Sequence, residues 1–118
     1  MKRHKWSKDL ANIEFIFESR GSRGAIVWRK SKEFILQAGA VLEVEPQMNK
    51  DGTKNYSAKF AEALRGEHAN AIENFRTTRD LIFPSPNEYG IFLRYGGDNS
   101  WLDTKDEFGK TLDEHSEC

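Results

Sequence analysis

Apolar and polar positions alternate from Asn12 onward, and the period changes twice along the chain. In NIEFIFES the residues Ile13, Phe15 and Phe17 alternate with Glu14, Ile16 and Glu18, a period of two with one clean apolar face. That pattern predicts a half-buried β-strand. SRGSRG interrupts it, and its two glycines suit a hairpin turn that needs positive φ. Ala25–Trp28 predicts a second strand, RKSK a short polar turn, and Glu33–Gln37 a third strand in which Phe34 and Leu36 oppose Ile35. AGAVLEVE adds a short extension after Gly39. Residues 46–56, PQMNKDGTKNY, carry Pro46, an Asp-Gly pair and no period, and so predict a loop.

From Ser57 the spacing becomes helical. Phe60, Leu64, His68, Ala71 and Phe75 form one stripe, with Ser57 as the N-cap. Gly66 disfavours a helix interior by about 1 kcal/mol relative to Ala. The spacing therefore predicts a helix over 58–65, with a continuation to about 74. Thr77, Thr78, Leu81, Ile82 and Phe83 return to strand-forming residues, and Pro84 ends that run. SPNE then reads as a capping box, with Ser85 at the N-cap, Pro86 at the first helical position and Glu88 two residues on. Pro84 and Tyr89 are placed to form a hydrophobic staple. A helix is predicted over 86–95, closed by Gly96 or Gly97 in the left-handed conformation. Trp101 follows as a core anchor within a short strand, WLD. The basic residues 1–11 and the acidic residues 113–118 are expected to be flexible ends.

With 118 residues the chain reads as one domain, long enough to bury a core without covalent staples. No run approaches the roughly 18 apolar residues of a membrane span, and MKRHKWSKDL lacks the apolar segment of a secretory signal. The single cysteine, Cys118, permits no disulfide within the chain and suits a cytoplasmic setting. Net charge is −1, but residues 1–32 hold nine Lys/Arg against three Asp/Glu, a net +6. The remainder is correspondingly −7, and the last 21 residues alone are −5. A basic end of this kind is a candidate for nucleic-acid phosphates.

Candidate chemistry is sparse. The histidines, His4, His68 and His115, show no metal-ligand spacing, and Cys118 belongs to no Cys/His cluster. No nucleophile motif, phosphate-binding loop or dinucleotide fingerprint is present. No cofactor, no metal, no membrane and no catalytic residue are expected. The candidate nucleic-acid contacts are Lys2, Arg3, Lys5 and Trp6 in the N-terminal segment, with Arg20, Arg23, Arg29, Lys30 and Lys32 further on. Among the tryptophans, which can stack on bases, Trp6 is the one expected to be exposed.

Residues 81–112, LIFPSPNEYGIFLRYGGDNSWLDTKDEFGKTL, resemble a small domain found appended to GIY-YIG-type endonucleases and other restriction-modification proteins. Its hallmark is Phe followed by Ser-Pro-Ser, a helix of small residues, Asn-Gly-Trp and a trailing Gly-x-x-Leu. The restriction-enzyme adenine-methylase-associated domain carries a similar signature. Phe83, Ser85, Pro86, Asn99, Trp101, Gly109 and Leu112 match in order. Upstream, GAIVWRKSKEFILQAGA looks like the family's strand–turn–strand. The chain departs from the pattern at Asn87, at the helix residues Glu88, Tyr89 and Gly90, and at Ser100. The resemblance implies an accessory, DNA-contacting module and brings no catalytic residues. Phe83, Ser85, Pro86, Glu88 and Trp101 are read as structural.

Together these features predict an α+β domain, a small, mainly antiparallel sheet with two helices packed on one face. The expected function is non-catalytic recognition with DNA as partner. The alternative is a protein-interaction or assembly module.

Overall fold

The structure is a computed structural model that describes residues 6–19, 21–97 and 99–115. Its architecture is α+β. Strands β1 (Glu14–Ser19), β2 (Ser22–Lys30), β3 (Glu33–Leu36), β6 (Leu81–Phe83) and β7 (Thr104–Lys105) form one antiparallel sheet in the order β6-β3-β2-β1-β7. A short hairpin of two-residue strands, β4 (Ile72–Glu73) and β5 (Arg76–Thr77), forms a second sheet, linked to β2 by the bridges of Val41 to Arg23 and to Arg76. Helix α2 (Pro86–Arg94) covers the sheet's apolar face, and α1 (Tyr56–Glu67) packs alongside α2. Short helices α3 (Ser100–Asp103) and α4 (Leu112–His115) close the remaining side.

The period-two pattern puts Phe15 and Phe17 of β1 beside Ile26 and Trp28 of β2, then Phe34 and Leu36 of β3, then Leu81 and Phe83 of β6. All eight are buried. Tyr89, Phe92 and Leu93, at helical spacing on α2, complete this core from the other side. Ser85 caps α2 by accepting from the Glu88 N–H (3.4 Å), as its position predicts. The Tyr89 ring meets Phe17 edge-on (5.7 Å) and tilts against Phe34 (6.0 Å). Its hydroxyl shares a hydrogen bond with Thr104 (2.7 Å), and burial pushes the phenol's pKa well up.

Several local expectations give way to tertiary contacts. Helix α1 starts at Tyr56, because Asn55 rather than Ser57 accepts the Ala58 N–H (2.7 Å). It runs through Gly66 to Glu67, where Gly66 is exposed in the last turn, but it does not continue to residue 74. His68 breaks it, and Phe75 sits in the β4–β5 turn at φ 60° with 46% of its surface exposed. The run from Thr77 to Phe83 divides between β5 and β6. The left-handed residue that closes α2 is Tyr95 (φ 60°, ψ 40°), not Gly96 or Gly97. That conformation costs a non-glycine residue on the order of 1 kcal/mol or more. Tyr95 is held there by its carbonyl accepting from Gln47, its hydroxyl donating to Glu62 (2.6 Å) and the Arg65 guanidinium over its ring (4.3 Å). Residues 101–103 are helical, not a strand, because the Asn99 side chain accepts the Trp101 N–H and starts a turn. Finally, Gly24 lies within β2 opposite Phe17, not in the hairpin turn. A Cβ there would stand 2.6 Å from Leu36 Cδ1 and 3.3 Å from Leu93 Cδ1 of α2, so its missing side chain makes room for Leu36 and for the helix above.

Candidate nucleic-acid interface

Residues 6–12 are fastened to one end of the sheet. β1 begins at Glu14, the partner of Val27, and the Ile13 N–H turns to the Leu10 carbonyl (3.2 Å), so the Trp28 carbonyl lies past the end of β1, where the Trp6 indole N–H donates to it (2.8 Å). A 3-10 helix, Lys8–Asn12, then lays the buried Leu10 into the core. Trp6 is therefore half-buried against the core cluster, not free in solvent. Beneath it Trp28 stacks on Phe34 (4.8 Å between centroids, 20° between planes), and Trp101 meets both edge-on. Trp28 is 2% exposed and offers no face to a base. Trp101 is half-buried as an anchor of the same cluster.

This packing decides which basic residues come together. Arg29 and Lys30 leave the end of β2 at which Trp6 is tied, and Lys32 follows in the β2–β3 turn; all three are exposed. The Arg29 guanidinium is paired with Glu33 (2.7 Å), with its side chain still about half exposed (48%). Arg23 lies six residues back along β2, roughly 20 Å away at the strand rise, and faces Glu18 at 3.9 Å. Arg23 and the segment 29–32 thus sit at opposite ends of the strand and do not make one patch. Lys2, Arg3, Lys5 and Arg20, with His4 and Cys118, lie outside the described residues. The structure brings Trp6, Arg29, Lys30 and Lys32 together and sets Arg23 apart.

Two polar arrangements have no signal in the local sequence. Arg94, 1% exposed on α2, donates to Asp103 (2.8 Å), Ser100 (3.2 Å) and Ser19 (3.0 Å), and its guanidinium lies 5.2 Å from the centre of the Phe17 ring. Its pairing across 75 residues to Ser19 cannot be read from spacing. The His115 ring meets the Asp106 carboxylate at 2.6 Å and the edge of Phe15 at 5.2 Å, which ties α4 to the sheet. Burial raises the Asp106 pKa, but the hydrogen bonds from His115, Lys110 and Phe108 outweigh it and hold the carboxyl below its ordinary range. His68 contacts the rings of Phe83 and Phe92 edge-on. Among the described residues no group of three or more His, Cys, Asp or Glu could hold a metal ion, and no helix is long and apolar enough to cross a membrane. No buried side-chain nitrogen or oxygen among them lacks a hydrogen-bond partner. These buried polar groups act as structural pins.

Compared with family models, with curated proteins and with solved structures, the chain has no match.

Proposed function

We propose that this chain is a non-catalytic recognition domain that meets nucleic-acid phosphates with the end of the sheet formed by Trp6 and the β2–β3 turn. One observation carries the reading. The Trp6–Trp28 hydrogen bond holds Trp6, which follows the basic residues 2–5 in sequence, at the end of β2 that carries Arg29 and Lys30. Exposed cations on one end of a rigid sheet provide a sequence-independent electrostatic contact. The resemblance of residues 81–112 to a module of endonucleases and restriction-modification proteins supports a nucleic-acid setting for it.

The test is fluorescence anisotropy with a labelled duplex over a range of salt concentrations. Binding should weaken steeply with salt, the slope reporting about 0.9 per phosphate contact. The pair Lys30→Glu and Lys32→Glu should lower that slope by about two, whereas Arg23→Glu, at the far end of β2, should leave it nearly unchanged. No binding at low salt, or equal sensitivity to Arg23→Glu, would remove this reading.

A further inference from the structure

Strand β7 has only two residues, and its register shows why it ends. Ile16 pairs with Lys105 and Phe17 with Thr104. Two steps further, the same register would set Glu14 directly against Glu107, and a third step would set Ile13 against Phe108. Like charges directly opposite each other destabilise a strand pair. The chain turns back instead. Asp106 accepts the N–H groups of Phe108 and Lys110 (both 2.9 Å), Gly109 takes a positive φ of 85°, and Lys105 bridges to Thr111.

Where the ladder parts, a cleft of about 510 Å³ lies between the outer edge of β1 and this turn. Sites for small ligands measure about 300–1,000 Å³. Ile13 and Ile16 supply half-buried apolar surface, and Phe108, 86% exposed, supplies an aromatic wall. Glu14 and Glu107 line the same cleft, both exposed, and neither pairs with a cation among the described residues. The third carboxylate, Asp106, and the one basic group of the lining, His115, are already bound to each other (2.6 Å). Lys105, in register with Ile16, stands on the same side of the sheet, but it does not line the cleft and makes no ion pair among the described residues.

Two unpaired carboxylates beside an exposed aromatic ring favour a cation with a flat, weakly hydrated head. We infer that the cleft between β1 and the 106–110 turn binds an alkylguanidinium group. Its planar fork bridges Glu14 and Glu107 through charge-assisted hydrogen bonds. Its face lies on the Phe108 ring, and its alkyl stem covers Ile13 and Ile16. Bound there, the ion offsets the like-charge contact that keeps Glu107 off the ladder. A neutral group of the same shape gains none of this. The cleft takes a cation, whereas the proposed nucleic-acid surface takes phosphates, so either reading can fail without the other.

The experiment is a titration of the isotope-labelled full chain, followed by backbone-amide chemical shifts. Butylguanidinium, a fragment of about eight heavy atoms, should saturate with a dissociation constant on the order of millimolar. The shifts should centre on Ile13, Glu14, Glu107 and Phe108. Butylurea, similar in shape but uncharged, should bind at least tenfold more weakly. Glu107→Gln and Phe108→Ala change exposed positions of the turn and should each weaken butylguanidinium severalfold. Glu107→Lys supplies a cation from the chain itself and should abolish binding while the rest of the amide spectrum stays in place. The tripeptide acetyl-Leu-Arg-Leu-amide separates the possible sources. Binding tenfold tighter than butylguanidinium puts the group on a protein partner, and equal binding makes the ligand a free small molecule. Equal affinity for butylurea, shifts centred elsewhere, binding that survives Glu107→Lys, or no saturation by about 50 mM would overturn the inference.

Discussion

Replacing Gly90 with Ala sets two effects against each other. On intrinsic helix propensity alone, Gly→Ala within α2 should stabilise the protein by about 0.8–1 kcal/mol. Gly90 faces Ser100 of α3, however, where helix and short helix are drawn together. An added Cβ would lie 2.9 Å from Ser100 Cβ, 3.4 Å from Arg94 Nη2 and closer still to Ser100 Oγ. Carbon atoms prefer roughly 3.5–4.0 Å. The hydroxyl can rotate away, but the Cβ is placed by the backbone, and Ser100 is fully buried. Rotation would also break the Ser100–Arg94 hydrogen bond. Overpacking of this kind costs about 1–3 kcal/mol, and contacts this short put Gly90→Ala in the upper half of that range. The clash should outweigh the propensity, leaving Gly90→Ala about 1–2 kcal/mol less stable and melting roughly 5 °C lower.

Chemical denaturation read by tryptophan fluorescence would measure the difference. The control is a double-mutant cycle with Ser100→Gly, which removes the opposing atoms and should give a favourable coupling above about 1 kcal/mol. A Gly90→Ala protein as stable as wild type, or a cycle without coupling, would refute the close approach of α2 and α3.

Two further outcomes follow from the same structure. Ser85→Ala removes the acceptor of the Glu88 N–H and should cost about 0.5–2 kcal/mol by denaturation, while Ser85→Asp should retain most of the stability. The depressed pKa of Asp106 implies a stabilisation that is present above the carboxyl's unfolded value and lost as pH falls through the folded one. Hydrogen exchange should show α4 loosening in acid before the sheet opens, and Asp106→Asn should flatten that dependence.

Phe15, Phe17, Phe34, Leu36 and Phe83 were legible as core because a strand has a period of two, whatever surrounds it. The start of α2 was equally legible, since Ser85 and Pro86 act on backbone groups within one turn. Trp6 was not. Its indole donates to a carbonyl 22 residues away, left beyond the ladder where β1 gives way to the 3-10 helix, which no local pattern announces. The division of the basic residues was hidden for the same reason. Arg23 and Arg29 are neighbours in sequence, but an extended strand separates them by its own length.

Sequence by itself determined strands β1 to β3, the start of the capped helix and the apolar side chains these bury, because they follow from spacing and from bonds made within a few residues. Tertiary structure decided where α1 and α2 end, why Gly24 and Gly90 carry no side chain, how Arg94 is satisfied and which cations share a surface. Each of those depends on atoms that are distant along the chain and become neighbours only when the sheet is roofed. Their energies come from packing and desolvation, which a linear pattern does not contain.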